Sequence, residues 1–533
     1  MVVGVGFVCL MAIGYSVMNL LASRLPLGER LSLSYGIGLG CVLLLLWILY
    51  YSSWVHSPTQ LMSIMGALSI AFFIGRYCIK KRGGKVFPVI TDGIGGSHYY
   101  IGWALMVTLF MVSFLFSYYY PIMMTDGNDY EVTGRLTALT ATIEPHHFFR
   151  PYPPFIPIVY SFIYFLGGTH PKIIFSFFYL SLVMCFYCRL SALSTRRSAS
   201  LVFTLILATT PYLWWHSFLG ILNFTAAYYF SIATLFWFSH LRNISQSESG
   251  IALDYSIPLL AGVFYSLSIC TRFEMLAYVF IPLLLTALYS LKHQLLKNVL
   301  YLSLPSLCIS SYWSFFICTS GVGLGNFKIL PVALVVLIVV TVISYVFVFR
   351  HARYTVIKLI NRCEEQFPLL LRTLGILCVF LIALYFVLPH REPGDSTLST
   401  PFVFFMKTVI TKMVTCVVGN VFYLCTSVLT VLLLSKRSIP SAREERVHVY
   451  LFVFILLFLI ANVAIFSSLL FSSYPEAYSA VDWNYDLKEL FRTMLYHPGQ
   501  LINNTQVRGL LPLYPIVIFF FATSKKVRQL FEV

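Results

Sequence analysis

Long apolar runs, broken by short polar connections, dominate this 533-residue chain. Runs of about 16 to 23 residues recur, each long enough to cross a bilayer as a helix. Only a helix satisfies its own backbone polar groups in lipid without a closed barrel. The pattern predicts an all-α polytopic membrane protein. Crossings are expected near 2–21, 32–54, 60–76, 100–119, 172–190, 199–215, 222–240, 256–271, 275–291, 297–317, 329–349, 369–388, 413–434, 448–470 and 508–523. That is about fifteen, with the short pieces between 256 and 291 equally readable as one bent pair. The first run has no Lys or Arg ahead of it and no small-residue cleavage site. It reads as a retained helix.

Composition sharpens the class. The chain is 59% hydrophobic and 11% charged, with mean hydropathy +0.83. A soluble domain of this make-up would expose too much apolar surface. The twelve cysteines are scattered through apolar runs, as at Cys9, Cys185, Cys188, Cys270 and Cys425, with no metal-ligand spacing in a polar loop. They read as reduced and structural.

The net charge of +16 is distributed unequally. One alternating set of connections comprises 76–98, 189–198, 241–255, 292–297, 350–368, 435–447 and the tail, with Arg24, Glu29, Arg30 and Arg372. It carries 25 of the 36 Lys and Arg and 9 of the 20 Asp and Glu, so the remaining residues are net neutral. By the positive-inside rule the basic set faces the cytoplasm, the N-terminus lies outside and the C-terminus inside. The basic residues then orient the protein in its membrane, and no nucleic-acid partner is implied. A bacterial inner membrane is expected, or the endoplasmic reticulum if the host is eukaryotic. The outer connections are 120–171, a turn near 214–223, the turn around Arg272, loop 389–412 and loop 471–507. In the last of these, Leu487, Leu490, Phe491, Met494 and Leu495 have amphipathic helical spacing.

Chemistry concentrates in the first outer loop, MMTDGNDYEVTGRLTALTATIEPHHFFRPYPPFIP (123–157). It gathers Asp126, Asp129, Glu131, Glu144, His146, His147 and Arg150. TDGND reads as a turn. A helix is expected from Asp129, carried by Tyr130, Val132, Leu136, Leu139 and Ile143. Capping alone accounts for Asp126 or Asp129. The sharper reading puts Asp126 on a cavity at the membrane boundary, where a carboxylate takes a proton from a hydroxyl or holds a divalent cation. Prolines 151, 153, 154 and 157 lead into an apolar helix near 155–166, too short to span and expected along the outer surface. The planar fork of Arg150 suits phosphate; snorkelling explains it equally well. For Arg272 the alternative to phosphate binding is an ion pair with Glu274 that pins a helical turn.

An outgoing helix, an acidic outer loop, a basic residue before Tyr-Pro-Pro and an apolar segment ending in Gly-Gly resemble the GT-C superfamily of integral-membrane glycosyltransferases. More narrowly, they resemble the bacterial family related to protein O-mannosyltransferases and lipid A aminoarabinose transferase. ERLSLSYGIGLGCVLLLLWIL (29–49), GVFYSLSICTRFEMLAYVFIPLLL (262–285) and VRGLLPLYPIVIFFFA (507–522) resemble further islands of that family. The resemblance implies transfer of a sugar from a polyprenyl- or dolichyl-phosphate to an acceptor on the outer face: a glycolipid, a polysaccharide or a protein. It implies Asp126 as the first-loop acid, with Tyr130 four residues on. Gly127 and Asn128 depart from the family pattern after that acid and keep Asp129 and Glu131 as candidates. Arg150, Arg272 and Arg508 match positions that bring positive charge to the cavity, and Tyr130, Tyr152, His146, His147 and Glu274 complete its expected lining. The outer turn before Asn223 lacks the Asp that several members of the family carry, which weakens the case for a divalent metal that the resemblance otherwise allows.

The expected organisation is accessory helices over 1–98, a catalytic module over 99–291 and a variable region over 292–533. Two other classes fit lipid-linked substrates. A transporter or flippase would show charged residues or broken helices near mid-membrane. A polysaccharide polymerase or ligase would carry its richest outer loop late in the chain.

Overall fold

The computed structural model describes residues 2–52, 57–80, 97–122, 125–143, 153–193, 197–246, 255–272, 274–293, 296–319, 447–459 and 509–524, with a few isolated positions between and beside them. Among these every regular element is a helix and none is a strand. Two compact units divide the chain, Met1–Val346 with Leu511–Val533, and Phe347–Leu510. In the second, the clearest described element is the apolar helix Val447–Leu459.

The first unit contains α1 (Val2–Leu21), α2 (Leu27–Tyr51), α3 (Pro58–Lys80), α4 (Ser97–Tyr119), α5 (Thr125–Thr140), α6 (Phe155–Phe165) and α7 (Ile173–Leu193). It continues with α8 (Arg197–Ala208), α9 (Pro211–Leu219), α10 (Leu222–Gln246), α11 (Ser256–Ile269), α12 (Met275–His293), α13 (Leu296–Thr319) and α14 (Leu513–Thr523). Five of these are long and apolar enough to cross a membrane: α1, α2, α7, and the stretches Pro58–Gly75 of α3 and Tyr100–Tyr119 of α4. A sixth crossing is made if α8 and α9 count as one bent span. The described residues therefore support a polytopic helical protein without confirming a count near fifteen.

The 59° bend between α8 and α9 falls at Pro211. Proline lacks the N–H of the helical ladder and its ring crowds the preceding turn. The Ala208 carbonyl beside the break accepts the Tyr179 hydroxyl at 2.7 Å, so the broken helix is satisfied by its neighbour.

The core is aromatic and lies around α10, which is buried over almost its whole length. Tyr229 of α10 packs on Phe155, Phe178 and Phe264 and donates to the Gly36 carbonyl at 2.8 Å. Tyr35 donates to the Ile174 carbonyl at 2.8 Å, and Trp237 to the Thr286 hydroxyl at 2.6 Å. Such cross-helix hydrogen bonds hold helices together where lipid removes the hydrophobic incentive to associate. Small residues set the closest approach: a Cβ on Gly38 would run into the Leu10 carbonyl, so α1 and α2 touch backbone to backbone.

Helix ends sort into two groups. At one end, Arg189 of α7 donates Nε to Glu29 of α2 at 2.7 Å, Arg242 of α10 reaches the Leu193 carbonyl at 3.5 Å, and Tyr289 of α12 reaches the Leu241 carbonyl at 3.4 Å. At the other, Ser117 of α4 meets Ser176 of α7 at 2.7 Å, and Ser113 meets Ser217 of α9 at 2.6 Å. Arg30, Arg189 and Arg242, which belong to the basic set, thus share one end. The end of α4, from which the acidic loop departs, lies at the opposite end.

Candidate functional site

At that second end the chain leaves α4, turns through Pro121 and enters α5. TDGND does not form the expected turn: helix α5 already starts at Thr125 and includes both Asp126 and Asp129. Carboxylates suit a first turn because it carries the positive end of the helix dipole. The expected apolar stripe is also corrected. Of its members Tyr130 is buried, whereas Val132 is well exposed and Leu139 is 83% exposed. The buried face is instead Gly127, Tyr130, Thr133, Gly134 and Thr137. These small residues let α5 lie directly on α6. A Cβ on Gly134 would stand 2.7 Å from Tyr160 Cβ and 3.0 Å from the Pro157 carbonyl oxygen.

The helix after the prolines runs over Phe155–Phe165, close to expectation. Its setting differs. Phe155 through Ile163 are all buried, so α6 is wedged among α2, α5, α7 and α10 and does not lie open along a surface. The reason is its apolarity on every side, which no half-exposed position would tolerate.

Glu131 ties the two helices. Its Oε1 accepts from the Tyr164 hydroxyl of α6 at 2.9 Å and from Arg135 Nη2 at 2.5 Å. The Arg135 guanidinium lies over the Tyr164 ring, 5.2 Å from its centroid. Burial pushes the Tyr164 hydroxyl up to about 12 against the lowering effect of Arg135, so it stays a donor at neutral pH. Arg135 is raised by its contacts with Tyr164 and Glu131.

Lys172, just before α7, is not among the residues that motif or spacing brings forward. It is only 4% exposed. Its Nζ donates to the Pro121 carbonyl at 3.2 Å and to the Phe218 carbonyl at 3.3 Å. Burial lowers its amine to about 8, with the Glu131 carboxylate acting in the opposite sense. Gly220 (φ +77°) turns the chain between α9 and α10 beside it; a Cβ there would stand 3.1 Å from both Lys172 Cδ and Tyr160 Oη. One signal could have found this lysine: a cation on the net-neutral side, directly ahead of an apolar run, is left unexplained by topology.

Arg272 and Glu274 form the pair expected as the alternative to phosphate binding. Arg272 Nη2 lies 2.5 Å from Glu274 Oε1 and Nε lies 3.3 Å from Oε2, with both side chains largely buried. Burial alone would raise the Glu274 carboxyl; the guanidinium and hydrogen bonds outweigh it and hold the group below its ordinary range. The Glu274 carbonyl opens α12 by accepting from Ala277 at 3.1 Å.

Among the sequence candidates, the structure therefore places Asp129, Tyr130 and Glu131 on one helix, and Arg272 with Glu274 at the turn before α12. The side chain of Asp126, and His146, His147, Arg150, Tyr152 and Arg508, lie outside the described residues, as do loops 389–412 and 471–507 with the amphipathic helix expected there. Among the described residues no three His, Cys, Asp or Glu side chains are grouped so as to hold a metal ion.

No protein-family model and no curated protein matches this chain. Among solved structures, the archaeal oligosaccharyltransferase AglB from Archaeoglobus fulgidus, in complex with an inhibitory peptide and a dolichol-phosphate, is similar to it at 12% sequence identity and a TM-score of 0.35. The alignment covers 81% of this chain and 56% of that one. Likeness at that level is too slight to transfer a fold or an activity from one protein to the other.

Proposed function

We propose that this chain is a membrane-embedded glycosyltransferase that takes a sugar from a polyprenyl- or dolichyl-phosphate at the end of the bundle opposite the basic connections. The observation that carries the reading is α5 itself. It is a carboxylate-bearing helix fixed onto a buried helix at the non-basic end, in the position where the sequence resembles the first outer loop of GT-C enzymes. A lipid-anchored donor keeps its tail in the bilayer and presents its phosphate at headgroup level, where the ends of spanning helices stand.

In the proposed reaction an acceptor hydroxyl attacks the anomeric carbon. The new carbon–oxygen bond forms as the bond to phosphate breaks, with inversion, and the lipid phosphate departs with the bonding electrons. A carboxylate takes the acceptor proton. Oε1 of Glu131 is already engaged by Tyr164 and Arg135, which suits it to hold α5 on α6. We assign the proton acceptor to Asp126 or Asp129, the two acids nearest the start of α5, with Glu131 the third carboxylate of that helix. Charge developing on the phosphate is compensated by Arg150 and Arg508. Arg272 enters as a nearly neutral pair with Glu274 and contributes less. Tyr130, Tyr152, His146 and His147 complete the cavity. The acceptor is a glycolipid, polysaccharide or protein hydroxyl on the outer side.

The test uses the full-length protein in detergent with undecaprenyl phosphate as probe and undecaprenol as control. The phosphate form is expected to raise the melting temperature and the alcohol to leave it unchanged. Asp126→Asn and Asp129→Asn should keep that shift, and one of them should lose sugar transfer. Equal shifts from the two lipids would overturn the proposal.

A further inference from the structure

Lysine is among the residues least often buried, and a buried ammonium needs oxygen partners to replace water. Near a membrane boundary the usual solution is to snorkel outward. Lys172 does the reverse. Its stem passes over Gly220, and its Nζ ends between two carbonyls, 3.2 Å from Pro121 and 3.3 Å from Phe218.

One acceptor stands at a helix C-terminus and the other just past one. Phe218 lies in the last turn of α9, and Pro121 lies two residues beyond the end of α4. The last carbonyls of a helix have no partner within it and carry the negative end of its dipole, so the Phe218 carbonyl is a ready acceptor for the Lys172 Nζ. A third element enters because Lys172 itself immediately precedes α7. One side chain thus gathers the ends of α4 and α9 at the start of α7.

Pro121 is more than a helix end. Four residues later α5 begins, with Asp126 in its first turn. A pinned carbonyl in so short a connection restricts where α5 can start. Further along, α5 is held to α6 through Glu131 and Tyr164.

We infer that Lys172 is a positioning residue: by binding the Pro121 and Phe218 carbonyls it clasps the α4–α5 hinge to the end of α9 and sets where the carboxylates of α5 stand. Its consequence for transfer rests on the proposed glycosyltransferase activity; its structural part does not. Tyr160, whose buried hydroxyl has no hydrogen-bond partner among the described residues, packs beside the same glycine.

The experiment is amide hydrogen exchange on the full-length protein in detergent, comparing wild type, Lys172→Met and Lys172→Arg. The methionine variant is expected to exchange about tenfold faster or more across 119–140, the size that losing a charge-assisted hydrogen bond implies. Segments 27–51 and 222–246 should be unchanged, and arginine should restore much of the protection. Unchanged exchange over 119–140 overturns the inference. So does an even increase across all these segments, which would make Lys172 a support of the whole bundle. In the same preparations, Lys172→Met should keep undecaprenyl phosphate binding within about twofold while turnover falls roughly tenfold. If undecaprenyl phosphate fails to bind wild type, the glycosyltransferase reading falls and the exchange result stands independently.

Discussion

Glu29 and Arg189, 160 residues apart in sequence, form a buried two-point ion pair that joins the start of α2 to the end of α7. Glu29 is fully buried, and the guanidinium also lies over the Phe236 ring, 4.2 Å from its centroid. The pair belongs to the end of the bundle that carries the basic connections, and it holds two of them in register. It also fixes the relative direction of α2 and α7, on which the placement of the acidic loop depends.

Removing one partner should be costly, because the other charge is then buried alone. Glu29→Gln or Arg189→Met is expected to lower stability by about 3 kcal/mol or more, whereas Glu29→Leu with Arg189→Met should recover much of the loss. Thermal unfolding of the four proteins in one detergent measures this. A double variant as unstable as the worse single variant would show that the pair contributes more than mutual neutralisation.

The contact between α1 and α2 makes a second expectation. Gly38 has no space for a side chain because the Leu10 carbonyl occupies it. Gly38→Val should separate the two helices at a cost of roughly 1–3 kcal/mol, read as a lower melting temperature and faster proteolysis of residues 1–51. A melting temperature equal to wild type would mean that α1 shifts freely.

Much of this architecture is legible in the chain, and its failures share a cause. The long uniform helices α1 and α7 fall within a few residues of the apolar runs that announce them, since length in lipid leaves few alternatives. At the site, hydropathy misleads. Tyr130 is rightly assigned to the buried face of α5, but Val132 and Leu139 are not, because α5 packs through Gly127, Thr133, Gly134 and Thr137, where close approach matters more than apolarity. TDGND carries turn residues and is nevertheless a first helical turn, since acids there gain from the helix dipole. Arg272 and Glu274 are adjacent enough for their pairing to be expected. Lys172 escapes notice because its partners are backbone carbonyls from elements 46 and 51 residues distant, which leave no trace in a side-chain pattern.

The hydrogen bond from Tyr164 to Glu131 offers a third test. Tyr164→Phe removes a neutral donor and leaves Arg135 in place. It should cost about 1 kcal/mol and loosen α5 on α6. A double-mutant cycle with Glu131→Gln, followed by thermal unfolding, should give a coupling near 0.5–1.5 kcal/mol between the two side chains. Strict additivity would show that Arg135 alone holds Glu131.

Lys172 makes stability depend on pH in a direction opposite to that of an ordinary surface salt bridge. Burial penalises its charged form and sets its value at about 8 in the folded protein, below the ordinary 10.5, while Glu131 moderates the shift. Below pH 8 both folded and unfolded chains hold the proton, and the fold carries the full penalty. Between about pH 8 and 10.5 the folded chain releases it while the unfolded chain keeps it, so the penalty is progressively relieved. Wild type should therefore gain stability relative to Lys172→Met as pH rises through this window. Differences in melting temperature at pH 7, 8, 9 and 10 measure the gain, and taking the difference cancels groups common to both proteins. Tyr160 and Tyr164 are pushed upward by burial, and neither competes in this range. A flat difference would place the ammonium in water. The gain need not release α5, because a neutral amine still has two hydrogens for the Pro121 and Phe218 carbonyls. The clasp should outlast its charge, and protection of 119–140 in wild type, corrected for intrinsic exchange, should persist above pH 8 while the stability difference grows.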